Sequence, residues 1–523
     1  MPLLALIAFY MLASVLVGLY AARRVRTSAD FAVAGRRLPL AVIIATTFAT
    51  WFGSETVMGA PAQFMQEGLG GVVEEPIGTS LCLVLVGVFF ARALYRKNII
   101  TLGDYYRLRY GRSAELLCSL IIVFSYLGWV GAQITALGLV LNVLSDGAVP
   151  VVWGMMLGTA AVLIYTIYGG MWSVAITDFV QMIVIVIGLA AIAWRTAEMA
   201  GGVDAVTQLA ASQGKLQFWP TGGGREWAFF IAAAITTMFG SIPQQDVFQR
   251  VLASRDERTA QRGPIIGGLL YLAFAAVPIF TAMAALRVLP NAAELQASDP
   301  QRVLPALVMG HMPAALQVAF FGALLSAIMS TASATMLAPA TTVVENIWRN
   351  LRPNMSDAQT LRALRISTLV FTLCVLAYAI AMEGSSIYDL VSNAYQMPLV
   401  GAFVPLACGV WWRRATTQGA LAAIAGGLAV WVLFLAVPAL REAFPPQLAG
   451  VLASLAGMCI GSLAPQRLPN QCETGSGAPF SPCARIKKRP TSRGACAVWG
   501  RAGRLTPPRP HPCRRRWFFP AAR

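Results

Sequence analysis

Charged residues are scarce in this chain, and their scarcity limits what the protein can be. Only 12% of the 523 residues are Asp, Glu, Lys or Arg, whereas a soluble globular chain has about 25%. The hydrophobic share is 57% and the mean hydropathy is +0.64. This composition excludes a soluble enzyme, a nucleic-acid-binding domain and a disordered protein, and it indicates an integral membrane protein.

Metal-ligating and catalytic residue types are sparse as well. The chain has two histidines, His311 and His511, and nine cysteines that form no paired metal-type spacing. A His/Cys metal centre is therefore not expected. His311 lies in the short segment VMGHMPAAL without an obvious nucleophile or base beside it, so the sequence does not indicate an enzyme.

The formal net charge of +17 is concentrated at one end of the chain. Residues 1–464 carry 27 basic and 22 acidic side chains, whereas the last 59 residues carry 13 and 1. Residues 465–523 are also rich in Pro, Arg, Ser and Gly and lack apolar periodicity. We predict a membrane domain over 1–464 and a disordered basic cytoplasmic tail over 465–523. A segment translated out of frame is an alternative interpretation of this tail.

Long apolar runs account for the high hydropathy. Thirteen of them are long enough to cross ~30 Å of hydrocarbon, with approximate bounds 3–21, 40–62, 72–95, 116–144, 149–168, 172–197, 227–248, 264–288, 314–346, 364–382, 387–410, 417–438 and 447–464. The first run has no signal-peptide features and is interpreted as a retained helix. Loops after odd-numbered runs hold 21 Lys and Arg, and the other loops hold six. Because basic residues favour the cytoplasmic side, we expect a multi-pass protein of the plasma membrane with its N-terminus outside and its C-terminus inside.

Two of the runs are interrupted near their middle. The second contains TFATWFGSETVMGAPAQF and the seventh contains TTMFGSIPQQDVFQR, each with glycine and proline inside an apolar stretch. Secondary transporters hold solutes and ions where membrane helices unwind. The interrupted runs lie five apart, which is typical of an inverted repeat of five helices. Two ordinary Gly/Pro kinks are the alternative.

The ninth run is rich in small hydroxyl residues: Ser326, Ser330, Thr331, Ser333 and Thr335. Such residues often only permit close helix packing. Hydroxyl oxygens are also suitable ligands for a small hard cation. Ser330 and Thr331 are adjacent and project about 100° apart, so a shared ion would need further oxygens from another segment.

Five segments occur in a fixed order along the chain: TFATWFGSETVMG, TLGDYYRLRYG, YTIYGGMWSVAITDFVQ, IPQQDVFQRVLAS and SAIMSTASATM. Together they resemble the sodium:solute symporter family over about residues 2–464, and most closely its choline-transporter branch with its bacterial relatives. The resemblance implies an all-α fold of the LeuT type, with five plus five inverted-repeat helices, broken helices in the second and seventh spans, and extra helices outside the repeats.

The resemblance also implies a sodium site between the second and ninth runs. The ligands that match are the backbone carbonyls and hydroxyls of Ala49, Phe52, Ala327, Ser330 and Thr331. Asp178, in AITDFVQ, matches an acidic residue on the inward sodium path. A solvated residue at the end of a helix is the alternative for Asp178.

Three glutamates lie in or near the expected solute cavity. Glu55 follows the break in the second run, where a carboxylate is costly and normally marks a pathway or a paired group. Glu74 and Glu75 begin the third run. They belong either to the cavity or to the outer membrane surface, where they cost little.

Aromatic residues at the expected site match the choline branch only in part. Trp51 and Trp129 match aromatic residues that in the choline branch form a cage for a quaternary amine, since aromatic faces attract such cations. Gln244 stands where that branch has tryptophan, and Thr79 where it has tyrosine. We therefore expect a solute more polar than choline: an amine, a zwitterion or a polyol.

These features predict sodium-coupled symport of a small polar organic solute by alternating access, with Na+ as the coupling ion. A receptor or sensor with a transporter fold is the alternative. The region after residue 464 has no His-containing helical hairpin and no ATP-binding pattern, which disfavours a sensor. No nucleic-acid partner is expected, and the sequence assigns no oligomeric state.

Overall fold

The computed structural model describes residues 2–468, which form helices joined by loops. Within this range the only strand-like pairing is an isolated bridge between Leu38 and Ser254. The long helical segments are α1 (Pro2–Ala22), α2 (Leu40–Trp51), α3 (Glu55–Glu67), α4 (Leu69–Tyr95), α5 (Arg112–Leu144), α6 (Val151–Met199), α7 (Gly224–Gly240), α8 (Gln245–Ala253), α9 (Glu257–Val288), α10 (Ala314–Leu351), α11 (Asp357–Ala381), α12 (Ile387–Trp411), α13 (Thr417–Ala436) and α14 (Pro446–Leu463). The predicted all-α fold is confirmed.

Both predicted helix breaks are present. The chain bends by 54° between α2 and α3 and by 40° between α7 and α8. The α2 helix ends at Trp51 because Phe52 leaves helical geometry, with φ −87° and ψ 69°. In the second break, Gln244 is extended, with φ −85° and ψ 137°. Backbone groups freed at such breaks are tolerated in a membrane only where protein or a wet cavity surrounds them.

The number of membrane crossings differs from the thirteen predicted runs. Among residues 2–468, ten helices are long and apolar enough to cross, or up to twelve if each bent pair is one span. The difference lies in α6, which merges the predicted fifth and sixth runs into 49 residues. A straight helix of that length would measure about 74 Å, more than twice the hydrocarbon thickness. Gly170 interrupts it with φ +48° and ψ −140°, so thirteen crossings stays a prediction.

The α10 helix lies at the centre of the bundle. Every residue from Phe320 to Thr342 is buried, and α10 packs against α5, α6 and α2. Its hydroxyl side chains therefore face protein on all sides, and lipid-facing positions are ruled out for them. The α2 helix packs against α6, α9 and α10. Gly53, in the first break, lies close to Thr331 in the hydroxyl-rich part of α10.

The TLGDYYRLRYG segment forms a short helix, Leu102–Tyr110, between α4 and α5. Thr101 and Asp104 form a capping box at its start, which satisfies backbone N–H groups that a helix leaves free. Asn346 of α10 donates to Asp104 Oδ1 at 3.1 Å and to Glu115 Oε1 at 3.0 Å. The segment is therefore fixed to the ends of two core helices.

Two predictions concern the C-terminal end of the membrane domain and the tail that follows it. The last long helix ends at Leu463, close to the predicted end of the membrane domain at residue 464. The predicted tail lies outside the described residues from position 469 onward. The orientation with the N-terminus outside stays a prediction.

Candidate ion and solute site

Asp178 is fully buried in the middle of α6. Its exposed fraction is 0%. Ser330 donates to Asp178 Oδ1 at 2.6 Å, Thr50 donates to Oδ2 at 3.3 Å, and Thr46 also donates to Oδ2. The alternative of a solvated residue at a helix end is therefore wrong. Asp178 instead joins the first broken span to α10.

Arg250 of α8 is the basic partner of Asp178. The guanidinium lies 3.9 Å from Asp178 Oδ2 and donates to the backbone oxygens of Asp246 at 2.7 Å and Thr46 at 3.2 Å. Arg250 follows the predicted seventh run, so it is one of the 21 basic residues that the sequence analysis assigns to cytoplasmic loops. In the structure its exposed fraction is only 1%. Without it the predicted cytoplasmic loops hold 20 basic residues against six, so the charge bias is unchanged.

The predicted sodium ligands lie in the first broken span and in α10. All five are 0% exposed: Ala49, Phe52, Ala327, Ser330 and Thr331. The chain leaves the helix at Phe52, which frees backbone oxygen atoms there. A set made only of carbonyl and hydroxyl oxygens suits a small hard cation.

The two adjacent hydroxyls of α10 point in different directions. Ser330 donates to Asp178, whereas Thr331 Oγ1 is buried and has no hydrogen-bond partner. Leaving a buried polar atom unpaired costs about 1–3 kcal/mol. Thr331 therefore fits a cation ligand, and the assignment of both hydroxyls to one ion stays a prediction.

Glu55 lies directly after the first break and is 3% exposed. Trp129 Nε1 donates to Oε1 at 2.9 Å, and Gln133 Nε2 donates to Oε2 at 2.7 Å. Both donors are neutral and both lie on α5. No lysine or arginine among residues 2–468 forms an ion pair with Glu55.

Glu74 and Glu75 are buried beside Glu55, so the outer-surface alternative is wrong. Each is 5% exposed. Glu75 accepts hydrogen bonds from Thr56, at 3.0 Å, and from Thr79. Glu74 accepts from Thr237 and Ser392 at 3.0 and 2.9 Å. The three glutamates line one small pocket of about 10 Å³ together with Thr237, Tyr388, Val391 and Ser392.

The two predicted cage aromatics meet at the site, and a third ring joins them. Trp51 and Trp129 have ring centroids 5.2 Å apart, and Tyr395 of α12 lies 6.2 and 5.4 Å from them. The indole N–H of Trp51 donates to Asp246 Oδ2 at 3.1 Å, while that of Trp129 donates to Glu55. Each predicted aromatic residue therefore holds a buried carboxylate.

The second break contributes polar groups of its own. Gln244 Nε2 donates to Ser125 at 2.9 Å, but Gln244 Oε1 is buried without a partner, as is Ser241 Oγ. Asp246 follows the break and accepts from Tyr126 at 2.6 Å. The other predicted residue, Thr79, is engaged with Glu75.

Several residues at this site were not predicted: Gln133, Asp246, Arg250 and Tyr395. Asp246 carried a usable signal, because it is an acid three residues after Pro243 of the second predicted break. Tyr395 and Gln133 carried none, since each belongs to a different span and only folding brings it to Trp129 or Glu55.

A larger cavity of about 450 Å³ lies between α3, α5 and α12, and it also touches residues 298–302. Gly59, Gln63 and Thr135 line its walls, and Tyr388 lines both this cavity and the glutamate pocket. Among the described residues, Tyr388 is the one that lies between the two spaces and lines both.

Two broken helices that face a buried, hydroxyl-rich helix define a secondary transporter of the LeuT type. The sequence profile of the sodium:solute symporter family matches residues 31–427. The chain belongs to this family, and sodium is its coupling ion.

Known relatives and structures agree with this fold. The human high affinity choline transporter 1 is 29% identical over 447 residues, which cover 82% of this chain and 75% of that protein. The sodium/pantothenate symporter of Escherichia coli is 25% identical over 460 residues, which cover 85% and 93%. A sodium-coupled sialic acid symporter, solved substrate-bound and outward-open, matches with a TM-score of 0.75 at 20% identity, over 89% of this chain and 98% of that one. At this identity the structural match shows the fold alone.

Proposed function

We propose that the protein uses the sodium gradient to take up a small organic cation by alternating access. The solute is an amine that also carries hydrogen-bonding groups. The observation that supports this best is an excess of buried acidic over basic side chains around the two helix breaks. The predicted sodium ligands, Asp178 on the inward sodium path, and the solute residues Trp51, Glu55, Glu75, Thr79, Trp129 and Gln244 belong to this proposal.

The charge excess is large for a membrane interior. Five carboxylates are buried around the breaks: Glu55, Glu74, Glu75, Asp178 and Asp246. Arg250 is the only lysine or arginine that is buried among residues 2–468, and its ion pair is with Asp178. Buried charge without a counter-charge is costly. A bound cation offsets this cost, whereas a simple anion would increase it.

Unpaired oxygens at the second break support a solute rich in N–H or O–H groups. Gln244 Oε1 and Ser241 Oγ are buried and have no partner. A buried acceptor without a donor is destabilising. An ammonium group or a hydroxyl on the solute supplies the missing hydrogens near Gln244 and Ser241.

The aromatic residues favour the same class of solute. Trp51, Trp129 and Tyr395 form a buried cluster, and aromatic faces attract organic cations. Among the relatives, the choline transporters carry a quaternary amine by name, and the pantothenate symporters carry pantothenate. The buried acids favour the amine. Gln244 and Thr79, which are not aromatic, favour one more polar than choline.

The test is a ligand screen on the purified full-length protein by thermal unfolding, with each solute measured in NaCl and in KCl. A ligand of the folded state stabilises by mass action, by about 2.7 kcal/mol at one hundred times its Kd. We expect amines to stabilise in NaCl and not in KCl, and the same amines to be accumulated by proteoliposomes under an inward sodium gradient. Stabilisation by monocarboxylates with no response to amines would overturn the proposal.

A further inference from the structure

Three oxygens from three different helices converge over Gly53, in the first helix break. A β-carbon placed on Gly53 would lie 2.5 Å from Glu55 Oε2, 2.8 Å from Thr331 Oγ1 and 3.0 Å from Gln133 Oε1. A methyl group at this position would collide with Glu55 Oε2 and Thr331 Oγ1 and would crowd Gln133 Oε1, so it fits only if these side chains move. Because Gly53 has no β-carbon, a carboxylate oxygen, a hydroxyl oxygen and an amide oxygen lie around the same empty position.

Only one of these three oxygens, Thr331 Oγ1, lacks a hydrogen-bond partner. Thr331 Oγ1 is fully buried and unpaired. Glu55 Oε2 accepts from Gln133 Nε2, and Gln133 Oε1 accepts from the backbone N–H of Ser54 at 3.0 Å. A carboxylate oxygen and an amide oxygen that face one another in a buried site repel one another, and a cation placed between them and the unpaired Thr331 hydroxyl would remove that repulsion.

We propose that Glu55 and Gln133 are additional ligands of the coupling cation, which they share with Thr331. This inference rests on the proposed transport function, and it adds a carboxylate and a side-chain amide to a ligand set that otherwise consists of backbone carbonyls and hydroxyls. The cation is the coupling sodium ion, a hard cation that suits oxygen ligands.

The other carboxylate oxygen of Glu55 links the proposed cation site to the proposed solute site. Glu55 Oε1 accepts the indole N–H of Trp129, whose ring packs against Trp51 and Tyr395. An ion that fixes the Glu55 carboxylate therefore also fixes the tryptophan that faces the solute. Sodium binding then orders the aromatic cluster before the solute arrives, which is a physical basis for coupling.

The experiment is a sodium titration of the purified full-length protein without any solute. Tryptophan fluorescence is the readout, and KCl holds the ionic strength constant. Glu55→Gln removes the charge, and Thr331→Val removes the hydroxyl at equal size. Thr331→Ser retains the hydroxyl and is the conservative control. We expect Glu55→Gln and Thr331→Val to raise the half-saturating sodium concentration roughly tenfold or more, and Thr331→Ser to stay within about threefold of the wild type.

Two control variants separate this site from general damage. Gly53→Ala fills the space over Gly53 and is expected to abolish the response to sodium. In Gly322→Ala the new β-carbon would meet only Val184 at 3.9 Å, so its titration should match the wild type. Glu67→Gln changes an exposed glutamate of the same helix and should also match. Size-exclusion profiles show which variants are folded.

The outcomes decide between the proposals. A folded Glu55→Gln protein that binds sodium like the wild type, yet loses affinity for the solute, assigns Glu55 to the solute alone and overturns this inference. It leaves the proposed transport function standing. A wild-type protein without any sodium response contradicts both.

Discussion

Arg250 joins the two broken spans, since its guanidinium lies 3.9 Å from Asp178 Oδ2 and donates to the backbone oxygens of Thr46 and Asp246. Asp178 belongs to α6, Thr46 to α2, and Asp246 and Arg250 to α8. The side chain of Arg250 therefore connects Asp178, at the proposed ion site, to Asp246, beside the proposed solute site.

Replacing Arg250 by Met is expected to destabilise the protein by about 3–5 kcal/mol, because it leaves Asp178 buried without its counter-charge. Asp178→Asn removes that charge. The double variant is therefore expected to be more stable than Arg250→Met alone, which is a coupling that a double-mutant cycle measures. Thermal unfolding of all four proteins in detergent is the measurement. Strictly additive effects would show that the pair is not coupled.

Replacement of either hydroxyl of the predicted sodium site by alanine is expected to raise the half-saturating sodium concentration for uptake. Ser330→Ala and Thr331→Ala each remove an oxygen, and cation affinity depends on the number and geometry of oxygen ligands. Ser326→Ala is the matched control on the same helix, since Ser326 donates to the backbone oxygen of Gly322 at 2.6 Å. Unchanged sodium dependence in both single variants would refute the assignment of these ligands.

Truncation after Leu468 is expected to leave expression and transport near normal. The composition of the following residues predicts a disordered tail. Arg467 N–H still donates to Gln418 Oε1 at 2.8 Å, and Gln466 donates to Ala464 O at 2.7 Å, so the cut belongs after these contacts. Uptake into cells, normalised to surface expression, is the measurement. Lost uptake at equal expression would reveal a function in the tail.

The helix breaks were predictable because their signal is local. Glycine and proline inside an apolar run weaken a helix where they stand, and both predicted breaks are present. The number of crossings was harder, since only one residue, Gly170, separates two runs that otherwise continue as one element. The position of the ion site is predicted from resemblance to the family, because composition and periodicity do not locate it.

The polar partners inside the bundle were not predictable in the same way. Arg250 looks like a loop residue in the sequence, because it follows the predicted seventh run, 227–248, and stands near other arginines. Its burial follows from packing against Thr46 and Asp178, which are 204 and 72 positions away along the chain. Such contacts depend on the tertiary arrangement and produce no periodic pattern in the sequence.

Glu55→Gln is expected to weaken solute binding when sodium is saturating, so that any effect on the ion is removed from the comparison. The substitution keeps the shape of the side chain and the hydrogen bond from Trp129, and it removes the negative charge. For an amine, the loss is that of a charge-assisted hydrogen bond, roughly 1.5–3 kcal/mol, or about 10- to 150-fold in Kd. For a polyol the loss is expected to be smaller, because only a neutral hydrogen bond is weakened. Competition uptake against unlabelled solute measures the Kd, and Glu67→Gln, on the exposed end of the same helix, is the control. If the transported solute is a monocarboxylate and Glu55→Gln leaves its uptake unchanged, the carboxylates do not select for a cation and the proposed solute class is wrong.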